Sequence, residues 1–212
     1  MMMDLLSFNT VLGFVWSVAI FYLLYAEKGV QISSSKWFLL FTVPAAYLVI
    51  PAVSAQVNVL TLAAGGVQTL DVHIGYNSGH ISEFAEALGE AGRQQYARFQ
   101  LGLDTLAPPA IAGFVLNVGR ITVPFAKVRK LLTVIVSVYF ISVLCANALM
   151  PVIMLNFPGT EVVFSILYIV VPLLDGTKYA THALAWVLIL LSALTSLSHW
   201  IRGRILRRNT EV

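Results

Sequence analysis

The sequence predicts an all-α integral membrane protein: a bundle of five transmembrane helices plus a short interfacial or re-entrant helix and an outer amphipathic helix. Three observations predict it. Of 212 residues 58% are hydrophobic and only 11% charged, with a mean hydropathy of +0.84. Soluble chains carry about 25% charged residues, so most side chains here have no water-facing place to occupy. Five stretches reach the roughly 20 apolar residues that cross about 30 Å of hydrocarbon. Lys and Arg fall in alternate loops, as they do when one side of a membrane collects them. The same numbers exclude other classes. Thirteen basic against ten acidic residues give only +3, too small and dispersed for a nucleic-acid surface. The lone Cys145 allows neither an intrachain disulfide nor a thiol pair.

The expected spans are residues 5–25, 37–55, 99–118, 131–155 and 179–201, and together they form one transmembrane domain. The opening MMMDLL has an acid where a secretory signal carries positive charge, so the first span is expected to be retained. The apolar segment 161–174 is too short for a span, and Pro172, Asp175, Gly176 and Lys178 are expected to close it. Charge parity decides against its crossing. Lys28 and Lys36 lie in the first loop, and Arg120, Lys127, Arg129 and Lys130 in the third. The tail Arg202, Arg204, Arg207 and Arg208 joins that side only if one crossing follows the fourth span. The expectation is an outer N-terminus and an inner C-terminus on the cytoplasmic, matrix or stromal side, the segment 161–174 being interfacial, re-entrant or packed on the bundle. The basic tail suits anionic headgroups, at about 1 kcal/mol per charge near the surface.

The outer loop, residues 56–96, starts apolar and turns polar at Asp71, with Gly75, Asn77 and Gly79 reading as turns. Ser78 or Ser82 is expected to cap a helix whose apolar face carries Ile81, Phe84, Ala85 and Leu88 and whose other face carries Glu83, Glu86 and Glu90. Gly89 and Gly92 should end or bend it. His73, His80 and Glu83 are competent metal ligands, but no paired-histidine motif joins them. The reading adopted is that these histidines bond backbone or water, with no metal and no cofactor.

Asp104 is the most informative residue, since a carboxylate inside a span costs about 2.5–3.5 kcal/mol and should face the protein interior. Gln100 is a local partner for it by spacing, and Asn147 or Lys178 partners from other helices. Pro108 and Pro109 should kink the third span or start it anew, while Pro44, Pro51, Pro151 and Pro172 interrupt others. Asp175 and Lys178 are expected to pair at the outer interface, one turn before His182. Small residues such as Gly13, Ala112, Gly113 and Ala185 offer close helix approach.

The stretch LGEAGRQQYARFQLGLDTLAPP, about a tenth of the chain, resembles a pattern of small, uncharacterised bacterial multi-span membrane proteins. The matching residues are Gly89, Gly92, Arg93, Tyr96, Leu103, Asp104 and Pro108, with Asn147 corresponding to an Asn of the next span. The resemblance implies no activity; it implies that Arg93, Tyr96 and Asp104 act together at the outer end of the third helix. The run LLDGTKY is superficially similar to the Asp and Lys of a retinal-binding rhodopsin, but seven spans are not found. No phosphate-binding glycine loop, serine elbow or zinc-protease helix is present.

The function expected from these features is a non-enzymatic accessory or assembly subunit of a larger membrane complex, with lipids and other membrane subunits as partners. The alternative is a small-ligand transporter or lipid-modifying membrane enzyme with a polar site of Arg93, Tyr96, Asp104, Asn147, Lys178 and His182.

Overall fold

The computed structural model describes residues 8–159 and 162–210, all helices and connecting turns, with no strand among them. In chain order the helices are α1 (Phe8–Tyr25), α2 (Glu27–Ser33), α3 (Lys36–Ala63), α4 (Ser78–Leu101), α5 (Ala107–Thr122), α6 (Ala126–Leu155) and α7 (Val162–Thr210). Among the described residues three helical stretches are long and apolar enough to cross a membrane, Ser78–Thr122, Ala126–Leu155 and Phe164–His199. The first two expected spans are represented by the shorter apolar helices Phe14–Tyr25 and Leu48–Ala63.

The third expected span, 99–118, is not one helix. α4 stops at Leu101, a 3-10 turn covers Asp104–Leu106, and α5 starts at Ala107. Pro108 and Pro109 explain the restart: in the first turn of α5 a missing amide costs no intrahelical bond, whereas in the middle of a helix each would. α4 itself bends at Gly89, whose φ of 62° and ψ of 179° suit only glycine, and then runs on through Gly92. Its cap is Asn77, which accepts from the His80 amide at 3.1 Å, rather than Ser78 or Ser82. The apolar start of the outer loop is the end of α3, which continues to Ala63.

The segment 161–174 is likewise no separate interfacial or re-entrant helix. Its described part, from Val162, is the first three turns of α7, a helix of 49 residues and roughly 74 Å at about 1.5 Å per residue. Pro172, Asp175, Gly176 and Lys178 do not close it. Asp175 and Lys178 neutralise each other one turn apart at 2.7 Å, so their polarity is satisfied inside the helix. Glu161 lies outside the described residues, as do the side chains of Arg202, Arg204, Arg207 and Arg208. Pro51 and Pro151 also lie within continuous helices.

Two apolar clusters hold the bundle. One gathers Leu60, Leu70, Ile81, Phe84 and Tyr96 with Met150 and Ile153 of α6 and Val171 of α7. The other gathers Ile20 and Leu23 of α1, Val115 and Leu116 of α5, Leu132 and Val136 of α6, and Ala185 and Ile189 of α7. Along α6 the gap between the clusters falls near Asn147, and along α7 it falls on Asp175, Lys178 and His182. A polar layer therefore separates two apolar ones. Leu173, Leu190, Leu194 and Leu197 stand exposed along the outside of α7, an apolar face suited to lipid.

Candidate functional site

Three carboxylates from three parts of the chain lie in the polar layer, each with partners of its own. Asp104 comes from the 3-10 turn, where the helix break brings it inward; it is 8% exposed and accepts from Asn147 Nδ2 at 2.8 Å through Oδ2. Asp71 comes from the turn after α3. Its Oδ2 accepts from the Tyr96 hydroxyl at 2.8 Å and its Oδ1 from Gln100 Nε2 at 2.7 Å. Asp175 comes from α7, paired with Lys178 Nζ at 2.7 Å through Oδ1 and accepting from the Tyr76 hydroxyl through Oδ2. The Tyr179 hydroxyl donates to the backbone carbonyl of Asp71, tying the turn to α7.

Burial pushes the Asp71 carboxyl above the usual carboxylate range. Lys178 and the donors Gln100 and Tyr96 pull it back down, while Asp175 pushes it further up. Burial and the neighbouring Asp175 raise the Tyr76 hydroxyl too, which keeps it a donor.

Asp71, Asp104, Lys178 and Tyr179 of this layer border a cavity of about 520 Å³, within the range of small-molecule sites. Its polar lining is Asp71, Asp104, Lys178, Tyr179, Tyr139 and His182, with Ser54, Asn58, Thr61 and Gln68. Ile50, Val53, Val57, Ile111 and Val143 make its apolar wall. His182 Nε2 accepts from Trp186 Nε1 at 3.1 Å, and its ring lies 5.4 Å from that of Tyr139. A second cavity, of about 660 Å³, lies among α1, α3 and α5 and has Thr42 as its one polar side chain besides the rims of Trp16 and Tyr22.

The structure sorts the residues singled out in the sequence. Asp104, Asn147 and Lys178 lie in one polar layer, with His182 beside them on the cavity wall. Tyr96 joins through Asp71. Gln100, expected beside Asp104, donates to Asp71 instead, because the turn at Gly102 and Leu103 breaks the helical spacing between them. Arg93 is turned elsewhere: it crosses the bend at Gly89 to the Ala85 carbonyl at 3.1 Å and stacks over Phe157 at 5.3 Å. The Asp175–Lys178 pair, expected at the outer interface, is buried with Asp175 5% exposed, since α7 starts at Val162, roughly five turns before the expected start at residue 179.

Asp71, Tyr76, Tyr139 and Tyr179 are the residues that sequence reasoning passed over. Asp71 and Tyr76 looked like loop polarity; the one local hint is that Asp71 stands between Leu70 and Val72 and Tyr76 comes two positions after Ile74. The histidine pair does not line the cavity but holds Gln68, which does. His73 and His80 stack at 4.1 Å, His80 Nε2 contacts the Gln68 carbonyl at 3.0 Å, and His73 Nδ1 contacts Gln68 Oε1 at 3.2 Å. Among the described residues no group of three His, Cys, Asp or Glu side chains is placed to hold a metal ion. Comparison with protein-family models, curated proteins and solved structures finds no match for this chain.

Proposed function

We propose that this chain is an integral membrane protein of five crossings that holds a small ligand in the cavity beside Asp104, as a binding or carrier protein. The observation that carries the reading is Asp104 itself, a nine-tenths buried carboxylate on the wall of a 520 Å³ cavity that also has an apolar side. A carboxylate kept only for packing would be expected to have both oxygens satisfied by the protein and no space beside it. The accessory-subunit expectation rested on a short chain, brief inner loops, the lack of a soluble catalytic domain and the scarcity of intramembrane ionisable groups, and only the last of these bears on the cavity. The convergence of those groups on one cavity is better accounted for by a ligand.

The topology follows from parity, with support from contacts. Arg120, near the end of α5, donates to the Leu23 and Leu24 carbonyls at the end of α1, consistent with the first and third loops sharing a side. The Tyr76 and Tyr179 hydrogen bonds draw the loop after α3 onto the middle of α7, away from those basic loops. On this reading lipids cover the exposed apolar faces and the C-terminus lies on the basic inner side.

Gentle extraction from the native membrane, native-gel sizing and mass spectrometry test the proposal. The expected result is a monomer or small homo-oligomer carrying a retained small molecule. Ser54→Trp, which places an indole in the cavity from an exposed position of α3, should remove that molecule and leave helicity unchanged. Stoichiometric co-migration with a large complex, with no small molecule retained, would restore the subunit reading.

A further inference from the structure

We infer that the ligand is an organic cation, a protonated amine on a compact apolar body, whose N–H is donated to the free oxygen of Asp104. The inference rests on the cavity being a ligand site and adds the class of ligand. Two independent features of the wall lead to it, hydrogen-bond satisfaction and charge.

The carboxylates differ in how fully the protein satisfies them. Asp175 has a donor on each oxygen, Lys178 and Tyr76. Asp71 also has a donor on each, Gln100 and Tyr96. Asp104 has Asn147 on Oδ2, and among the described residues none donates to Oδ1. An oxygen without a protein donor, on a nine-tenths buried residue that lines a cavity, is where a ligand donor fits.

Charge selects the kind of donor. On the wall two carboxylates, Asp71 and Asp104, stand with one ammonium, Lys178, and that ammonium is already paired with a third carboxylate behind it, Asp175; counted as ionised, the polar layer carries an excess of negative charge, and its other donors, Tyr76, Tyr96, Gln100 and Asn147, are neutral. Lys178 is the cation of the wall and is engaged with Asp175 at 2.7 Å. An anionic ligand would have to displace that pair while facing Asp71 and Asp104. A cation would instead offset an excess that is costly at membrane depth. A bare metal ion is disfavoured by geometry, since no three ligating side chains converge among the described residues. Ile50, Val53, Val57, Ile111 and Val143 also line the cavity, interleaved on α3 with Ser54, Asn58 and Thr61, so it can take a ligand with a hydrocarbon body. The rings of Tyr139 and Tyr179 in the same lining can add cation–π attraction.

The test uses the full chain in phosphatidylcholine nanodiscs, titrated calorimetrically with three probes of one shape: 1-adamantylammonium, 1-adamantanol and 1-adamantanecarboxylate. The ammonium should bind saturably and at least about tenfold tighter than the alcohol, and the carboxylate should not bind. Asp104→Asn should weaken the ammonium by about tenfold or more and leave the alcohol unchanged. The three-probe ranking on the wild type decides the matter even if that variant fails to fold. Equal or tighter binding of the alcohol or the carboxylate overturns the cation assignment while the cavity remains a ligand site. Absence of saturable binding by all three overturns the cation assignment as well; if no small molecule is retained on native extraction either, the ligand-site reading falls with it.

Discussion

A buried ion pair is held less by its own strength than by the cost of breaking it. Asp175 and Lys178 illustrate this, because each sits on α7 with a side chain almost closed off from solvent, 7% and 13% exposed. Removing Lys178 alone would leave Asp175 beside Asp71 with no cation near either, and cutting one member of a buried pair costs about 3–5 kcal/mol. Lys178→Met is therefore expected to lower thermal stability in detergent by that order. The double variant Asp175→Asn with Lys178→Met should recover most of it, since an amide oxygen still accepts from Tyr76 and no charge is stranded. Thermal unfolding of the two single variants and the double variant checks this, and strict additivity would contradict the pairing. The pair was legible in the sequence from its spacing of three. Its depth was not, because depth depends on where α7 begins. The role of Asp104 as the least satisfied acid was out of reach for the same kind of reason, since its partner Asn147 is 43 positions away.

Elements here are shaped by where backbone groups lose their partners and what replaces them. Gly89 bends α4 and Arg93 reaches over the bend; Pro108 and Pro109 sit where α5 has no amide bonds to lose. These breaks were legible, since glycine and proline mark them directly. The continuity of α7 through Pro172 was not, because proline tolerance inside a membrane helix depends on neighbours that the sequence does not display. Gly102 broke the expected pairing of Gln100 with Asp104 in the same silent way. The end of α1 shows the replacement of partners most plainly. Its last carbonyls have no intrahelical donors to meet, and Arg120 of α5 supplies one to Leu23 at 2.7 Å and another to Leu24 at 3.4 Å. Hydrogen bonds to a charged group are worth about 1.5–3 kcal/mol. Arg120→Met should thus destabilise the bundle by about that amount and increase hydrogen exchange at the end of α1 ahead of α6. Arg120→Lys should restore part of the loss, a point charge replacing a planar fork. Equal stability of the Met variant and the wild type would show that the contact holds nothing.

At the scale of the whole molecule, the chain stacks an apolar layer, a polar layer and a second apolar layer, and the cavity borders the middle one. Helical content and membrane character were legible from composition alone, because an 11% charged chain has few other solvents available. The assembly of the polar layer was not. Tyr76 meets Asp175 across 99 positions and Tyr179 meets Asp71 across 108, separations for which a lone sequence carries no signal. Parity is the global property that the sequence does constrain. Of the 13 basic residues, the six in the first and third loops and the four in the tail share a side only with an odd number of crossings after α6. A single helix from Val162 to Thr210 supplies one crossing in a continuous rod, whereas two crossings would need a turn within it. Cysteines introduced singly as Gly79→Cys, Ala126→Cys and Asn209→Cys, with Cys145→Ala as background, test the arrangement in sealed vesicles. The first should react with an impermeant maleimide from the outer side, and the other two only after the membrane is opened. Labelling of position 209 from outside would mean that α7 does not cross or crosses twice. The basic tail would then face away from the anionic inner surface, and the five-crossing bundle would have to be abandoned even though the polar layer and its cavity stood unchanged.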